Sequence, residues 1–139
     1  MKAEAPILST LDDATLLQQF EEGTLPGSAF HHREHVRVAW LYLESHPPLA
    51  ALTRFTESLQ RFAVAKGSPG LYHETITWAY FFLIHDRRAR GEDGETWEAF
   101  AARNPDLLTW KPSILDVYYS KETLFSDLAR RVFLWPSGP

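Results

Sequence analysis

The sequence contains no cysteine, which excludes disulfide bonds, thiolate metal ligands and cysteine nucleophiles. Positive charge is not clustered either: 14 Lys and Arg against 18 Asp and Glu give a net charge of −4. Because nucleic-acid binding needs clustered positive charge to neutralise phosphates, the sequence argues against it. No apolar run approaches the length that crosses a bilayer, and the amino terminus lacks the apolar segment of a signal peptide. We therefore expect a cytoplasmic protein that binds neither nucleic acid nor membrane.

What the sequence does contain is a globular composition rich in aromatic side chains. Of its residues, 45% are hydrophobic and 23% are charged, which is typical of a folded globular protein. Its length of 139 residues fits a single domain. Nine Phe, five Trp and five Tyr give an aromatic fraction of 14%. Aromatic rings fill cores and also line ligand pockets, so this abundance favours a domain with an internal cavity.

Apolar residues recur at helical spacing along the chain, and Gly and Pro divide it into helix-sized segments. Ser9 or Thr10 suits the cap of the first helix, and Pro48 suits the first turn of the third. No stretch alternates between apolar and polar residues for long enough to predict a β-strand. We expect an all-α fold, a single compact domain over residues 1–139 with about five to six helices in orthogonal or bundle-like packing. The predicted helices cover residues 9–22, 30–45, 48–66, 72–89, 96–103 and 120–131.

Two clusters of polar residues stand at the predicted starts of the second and fourth helices. At about 100° of rotation per residue, His32 falls within the apolar stripe of its helix and His35 falls at the edge. His31 and Glu34 face solvent, whereas His73 falls within the stripe of the fourth helix. A helix amino terminus disfavours positive charge, so imidazole there stays neutral, the form that ligates metals and acts as a base. We predict a buried polar pocket where the two helix starts meet.

Three of these histidines suit a divalent metal ion. His32 and His35 are spaced i, i+3 on one helix, and His73 comes from a helix that has to pack beside it. Three nitrogen ligands with an open position are the pattern of a catalytic zinc site, and nickel or iron also accepts such ligands. In this hypothesis His73 and Glu74 are the catalytic residues: His73 ligates or acts as the base, and Glu74 orients or shuttles a proton during hydrolysis or proton transfer.

A structural role for the histidines is the alternative. Buried His32 and His73 rings need hydrogen-bond partners, which the backbone or neighbouring polar side chains can supply. Thr75 or Ser68 can cap the fourth helix, with Glu74 complementing its dipole.

The second helix also carries an H-x-x-E-H pattern that is known from zinc peptidases. It runs from His31 to His35, but its face points towards solvent. We instead expect Arg33, Glu34 and Arg37 to form a solvated charged face.

The two clusters together carry a resemblance. Phe30, His32 and His35 give F-x-H-x-x-H, and residues 72–77 give Y-H-E-T-I-T. With the late pair Tyr118-Tyr119, this combination resembles a group of small bacterial all-helical proteins of uncharacterised activity. The resemblance implies one compact helical domain and transfers no reaction.

Three hypotheses follow from the sequence. The first is a small helical protein whose His-rich pocket binds a divalent metal or a small molecule and catalyses hydrolysis. The second is a non-enzymatic module that binds a small ligand or a partner in an aromatic cavity, with structural histidines. The third is a helical domain that forms homo-oligomers through exposed aromatics near Trp110 and Trp135.

Overall fold

The structure is a computed structural model that describes residues 11–139. The all-α prediction is confirmed: these residues form helices and turns, and five of the helices have seven or more residues. One isolated backbone bridge, between Tyr119 and Gly138, is the only extended pairing in this part of the chain. The helices are α1 Asp13–Glu22, α2 His32–Ser45, α3 Pro48–Ala65, α4 Glu74–Ala89, α5 Trp97–Arg103, α6 Pro105–Leu108, α7 Lys121–Leu124 and α8 Asp127–Arg131.

Side-chain caps set most of the helix starts. Asp12 caps α1, where its Oδ1 accepts a hydrogen bond of 2.7 Å from the Thr15 N–H. The predicted caps Ser9 and Thr10 lie outside the described residues. Thr96 caps α5 through its Oγ1, and Pro48 occupies the first turn of α3 as the sequence predicts. At the end of α1, Gly23 adopts φ +75°, a conformation that glycine reaches without strain.

The core lies between α2 and the helices that surround it. Helix α2 contacts α1, α3, α4 and α6, and α3 also packs on α1 and α4. The main core cluster draws buried apolar residues from α1 to α6, among them Phe20, Val36, Phe55, Phe81 and Phe100. A smaller cluster covers the outer side of α4 with residues of the carboxyl-terminal segment.

Two parts of the chain differ from the predicted helices. Helix α6 follows α5 directly, because Pro105 starts a new helix after the buried Asn104. The predicted last helix is divided into α7 and α8, since Ser126 caps a second start by accepting from the Ala129 N–H at 3.1 Å. These short elements bring the chain back over the amino-terminal end of α4.

The chain leaves α8 through the extended residue Val132 and is held by partly buried hydrogen bonds. Thr75 Oγ1 donates to the Val132 carbonyl at 2.7 Å and accepts from the Leu134 N–H at 3.1 Å. The Tyr119 hydroxyl donates to the Leu134 carbonyl at 2.7 Å. Within residues 11–139, no helix combines the length and the apolar character needed to cross a bilayer.

Candidate functional site

A cavity of about 690 Å³ lies between α2, α3 and α4. Its walls are mostly apolar, and its deepest residues are fully or nearly buried. Its mouth is formed by residues that remain exposed, including Leu71 at 77%, Phe125 at 60% and Trp110 at 37%. A volume between roughly 300 and 1,000 Å³ is typical of small-molecule sites. The buried apolar lining consists of Val36, Ala39, Phe55, Leu59, Phe62, Tyr80, Phe81 and Ile84.

The structure brings His32, His35 and His73 to this one cavity, as the sequence predicts. They meet because α2 packs on α4. Each ring has a different set of partners, and these partners decide what each histidine can do.

His32 is held from the opposite side by α6. Its Nε2 lies 2.8 Å from the Leu107 carbonyl, which can only accept, so Nε2 carries the proton. The ring also packs against Tyr80 and Trp110, at centroid distances of 4.7 and 5.3 Å. Burial lowers the pKa of His32, and the bond to Leu107 opposes this shift. His32 is therefore a neutral ring whose Nδ1 has no hydrogen-bond partner within residues 11–139.

His35, which helical phase placed at the edge of the apolar stripe, is half-buried and lines the cavity. Its ring packs on Phe30 with centroids 4.1 Å apart, and neither ring nitrogen has a hydrogen-bond partner in the described part of the chain. Burial and then the neighbouring His32 lower the pKa of His35 to about 3. His35 is therefore neutral near pH 7 and offers one donor and one acceptor.

His73 caps helix α4. The prediction placed it within the first turn of the helix, but the helix begins one residue later at Glu74. Its Nδ1 accepts from the Ile76 N–H at 3.1 Å, and its Nε2 donates to the Leu124 carbonyl at 2.8 Å. Burial lowers the pKa of His73, with a further lowering from Arg130. Both ring nitrogens are thus occupied, and the predicted caps Thr75 and Ser68 do not cap this helix.

Glu74 points to a phenol and does not line the cavity. The Tyr72 hydroxyl donates a short hydrogen bond to Glu74 Oε1. Burial and this bond raise the pKa of Tyr72, so that the phenol stays protonated. Of the two residues predicted to be catalytic, His73 reaches the cavity and Glu74 does not.

The predicted charged face of α2 is only partly solvated. Glu34 is 13% exposed at its side chain and accepts from the His31 N–H at 2.8 Å, so it helps to start the helix. Arg37 is 11% exposed and donates to the Leu11 carbonyl at 2.9 Å and to Asp13 at 2.6 Å. The expectation of a solvated face is therefore wrong for these two residues, because Arg37 packs against Leu11 and Asp13 while Glu34 folds back onto the His31 N–H.

Several polar lining groups have no hydrogen-bond partner in residues 11–139, among them His32 Nδ1, the His35 ring and Thr77 Oγ1. By contrast, Tyr80 shares a hydrogen bond of 2.7 Å with Ser113 Oγ. A polar group in an apolar cavity without a partner costs free energy unless a ligand or water satisfies it. His32 Nδ1, His35 and Thr77 are therefore groups inside the cavity that can form hydrogen bonds with a bound molecule.

Among the described residues, no three His, Asp or Glu side chains are grouped so that they could hold a metal ion together. The three predicted ligands line the same cavity, but both ring nitrogens of His73 already form hydrogen bonds within the protein. Sequence reasoning did not identify Leu107 and Leu124, the carbonyls that fix His32 and His73. It also missed Lys66, Tyr80 and Trp110 as lining residues, for which the chain offers no local motif. Comparison of the chain with protein-family models, with curated proteins and with solved structures finds no match.

Proposed function

We propose that the protein binds a small, largely apolar molecule in the cavity between α2, α3 and α4 and acts by holding it. The observation that carries this proposal is the lining: a cavity of about 690 Å³ with mostly apolar walls and a few unpartnered polar groups, among them His32 Nδ1, His35 and Thr77. That is the usual composition of a ligand site, in which apolar contact supplies affinity and a few polar groups fix orientation. In this function His32 and His73 are structural, because each supports a helix or loop through a backbone carbonyl.

The test uses a neutral environment-sensitive dye, N-phenyl-naphthylamine, whose emission rises in apolar surroundings. Ala63 lines the cavity on α3, so Ala63→Phe places a ring in the space. Ala50 is exposed on the same helix, so Ala50→Phe adds the same ring outside the cavity and serves as the matched control. We expect enhanced emission with the wild type and with Ala50→Phe, and its loss with Ala63→Phe. Equal emission from all three proteins would place the dye elsewhere and contradict the proposal.

The metal-dependent alternative is favoured by one observation. His32 Nδ1 and the nitrogens of His35 have no partner within residues 11–139, and both rings face the same space. Zinc, nickel or iron held there would recruit His73 only by displacing the Ile76 N–H or the Leu124 carbonyl. A hydrolytic role for His73 and Glu74 would likewise need the Tyr72 contact to open.

Elemental analysis of protein purified without chelator separates these functions. The metal alternative expects about one zinc, nickel or iron per chain and its loss in His35→Gln, since a neutral amide is a poor ligand for these ions. Metal-free wild-type protein whose thermal midpoint is unchanged by added zinc would remove this alternative and leave the apolar ligand.

A further inference from the structure

The cavity of the proposed function carries a single permanent charge, and that charge lies at its mouth. Among the lining residues that the structure describes, Lys66 is the only Lys or Arg, and none is Asp or Glu. The lining histidines do not add charge near pH 7, because burial lowers the pKa of His32, His35 and His73. Lys66 therefore supplies the permanent charge of a lining that is otherwise uncharged near pH 7.

Lys66 is held above the apolar interior. It follows the last residue of α3, and its ammonium nitrogen lies 5.4 Å from the centroid of the Phe62 ring. Its aliphatic stem passes over Gly27, where an added Cβ would meet Lys66 Cδ at 3.9 Å. Within residues 11–139, no carboxylate lies within 4 Å of the ammonium group. The cation is thus exposed, positioned on an aromatic lining residue and available to an anion.

From these features we propose that the ligand is an amphipathic carboxylate, with an apolar chain in the cavity and its anionic head at Lys66. The proposal rests on the function proposed above and names the chemical class of its ligand. Below Phe62 the chain would contact Phe55, Leu59 and Phe81, which are buried and apolar. A neutral ligand would leave the Lys66 cation unused, and a cationic one would be repelled by it. Because the chain's net charge is −4, a preference for an anion has to come from a local cation and not from the protein's overall field.

The test compares three probes with one chain and different heads: decanoate, decanol and decylammonium, each below its micelle concentration, by titration calorimetry. We expect decanoate to bind more tightly than decanol and decylammonium to bind most weakly. Lys66→Gln should weaken the binding of decanoate by about two- to fivefold, which is the effect of losing one exposed ion pair. The affinity for decanol should not change. Lys66→Glu should weaken the binding of decanoate further and strengthen the binding of decylammonium. Arg54→Glu, an exposed charge reversal on the same helix, is the matched control and should change none of the three affinities.

Three other outcomes would overturn the proposal in different ways. If decanoate and decanol bind equally and Lys66→Glu changes neither, the head-group assignment fails while apolar binding in the cavity stands. If none of the three probes binds and the neutral dye also fails to bind, the function proposed for the cavity fails and this inference fails with it. Dye binding without binding of any decyl probe would overturn the amphipathic ligand alone.

Discussion

Replacing His35 by Phe should make the protein less sensitive to acid. His35 packs on Phe30 at 4.1 Å, and burial together with the nearby His32 lowers its pKa to about 3 from an ordinary value of 6.5. Between these two pH values the His35 imidazole is protonated in the unfolded chain but stays neutral in the folded protein. The free energy of unfolding therefore falls as pH decreases from about 6.5 towards 3 and is unaffected by His35 above that window.

The size of the effect follows from the pKa difference. One proton contributes about 1.4 kcal/mol per pH unit, so His35 lowers the wild-type free energy of unfolding by up to about 2 kcal/mol at pH 5. A phenyl ring has a similar planar shape, keeps the contact with Phe30 and carries no titratable group. His32 and His73 are present in both proteins, so their contributions largely cancel in the comparison.

Urea unfolding followed by tryptophan fluorescence, at several values between pH 7.5 and pH 5, measures the difference. The free energy of unfolding of His35→Phe minus that of the wild type should rise by up to about 2 kcal/mol over this range. The comparison at pH 7.5 is the internal control, because there the difference reports packing alone. Parallel pH curves for the two proteins would mean that the folded state protonates His35 as readily as the unfolded chain, which would refute the buried neutral ring.

Three further predictions concern the contacts around the cavity, and each is measured by urea unfolding. His73→Ala should destabilise the protein by about 1–2 kcal/mol through loss of the α4 cap, and His73→Asn should recover part of this because Asn caps helices well. Thr75→Val should cost about 1–3 kcal/mol, because the buried hydroxyl holds the chain after α8 at two points, and hydrogen exchange there should quicken while that in α2 stays slow. Asn104→Leu should lower the free energy of unfolding by about 1–3 kcal/mol, because Asn104 Oδ1 accepts a hydrogen bond of 2.7 Å from Arg87. An unchanged free energy of unfolding would show that this contact does not hold α6 in place.

The long helices were predictable because their apolar stripes repeat over several turns. Helices α2, α3, α4 and α5 begin and end within two residues of their predicted bounds. Phase within those stripes also placed His32 and His73 inward. Periodicity is a local signal, and it sufficed for the inward position of these two histidines, although α2 is buried on all sides between Val38 and Leu43.

The rest of the site depends on contacts between distant parts of the chain. The Leu107 carbonyl lies 75 residues from His32, and the Leu124 carbonyl lies 51 residues from His73. Both belong to short elements, α6 and α7, whose four residues each are too few for a periodic pattern. The sequence therefore indicated which histidines share a pocket but not which of their nitrogens the protein itself occupies. His35 was assigned to the edge of its stripe from helical phase alone, which could not show that its ring packs on Phe30, a residue that precedes the observed helix.

Methyl-resolved NMR of the wild-type protein during titration with N-phenyl-naphthylamine tests the cavity most directly. We expect the methyl signals of the lining residues Val36, Ile76, Thr77 and Ile84 to shift together and saturate. The exposed Leu128, which lies outside the cavity, is expected to stay unchanged. Shifts confined to Leu128 and its surroundings, with the four lining residues unmoved, would contradict a ligand site between α2, α3 and α4.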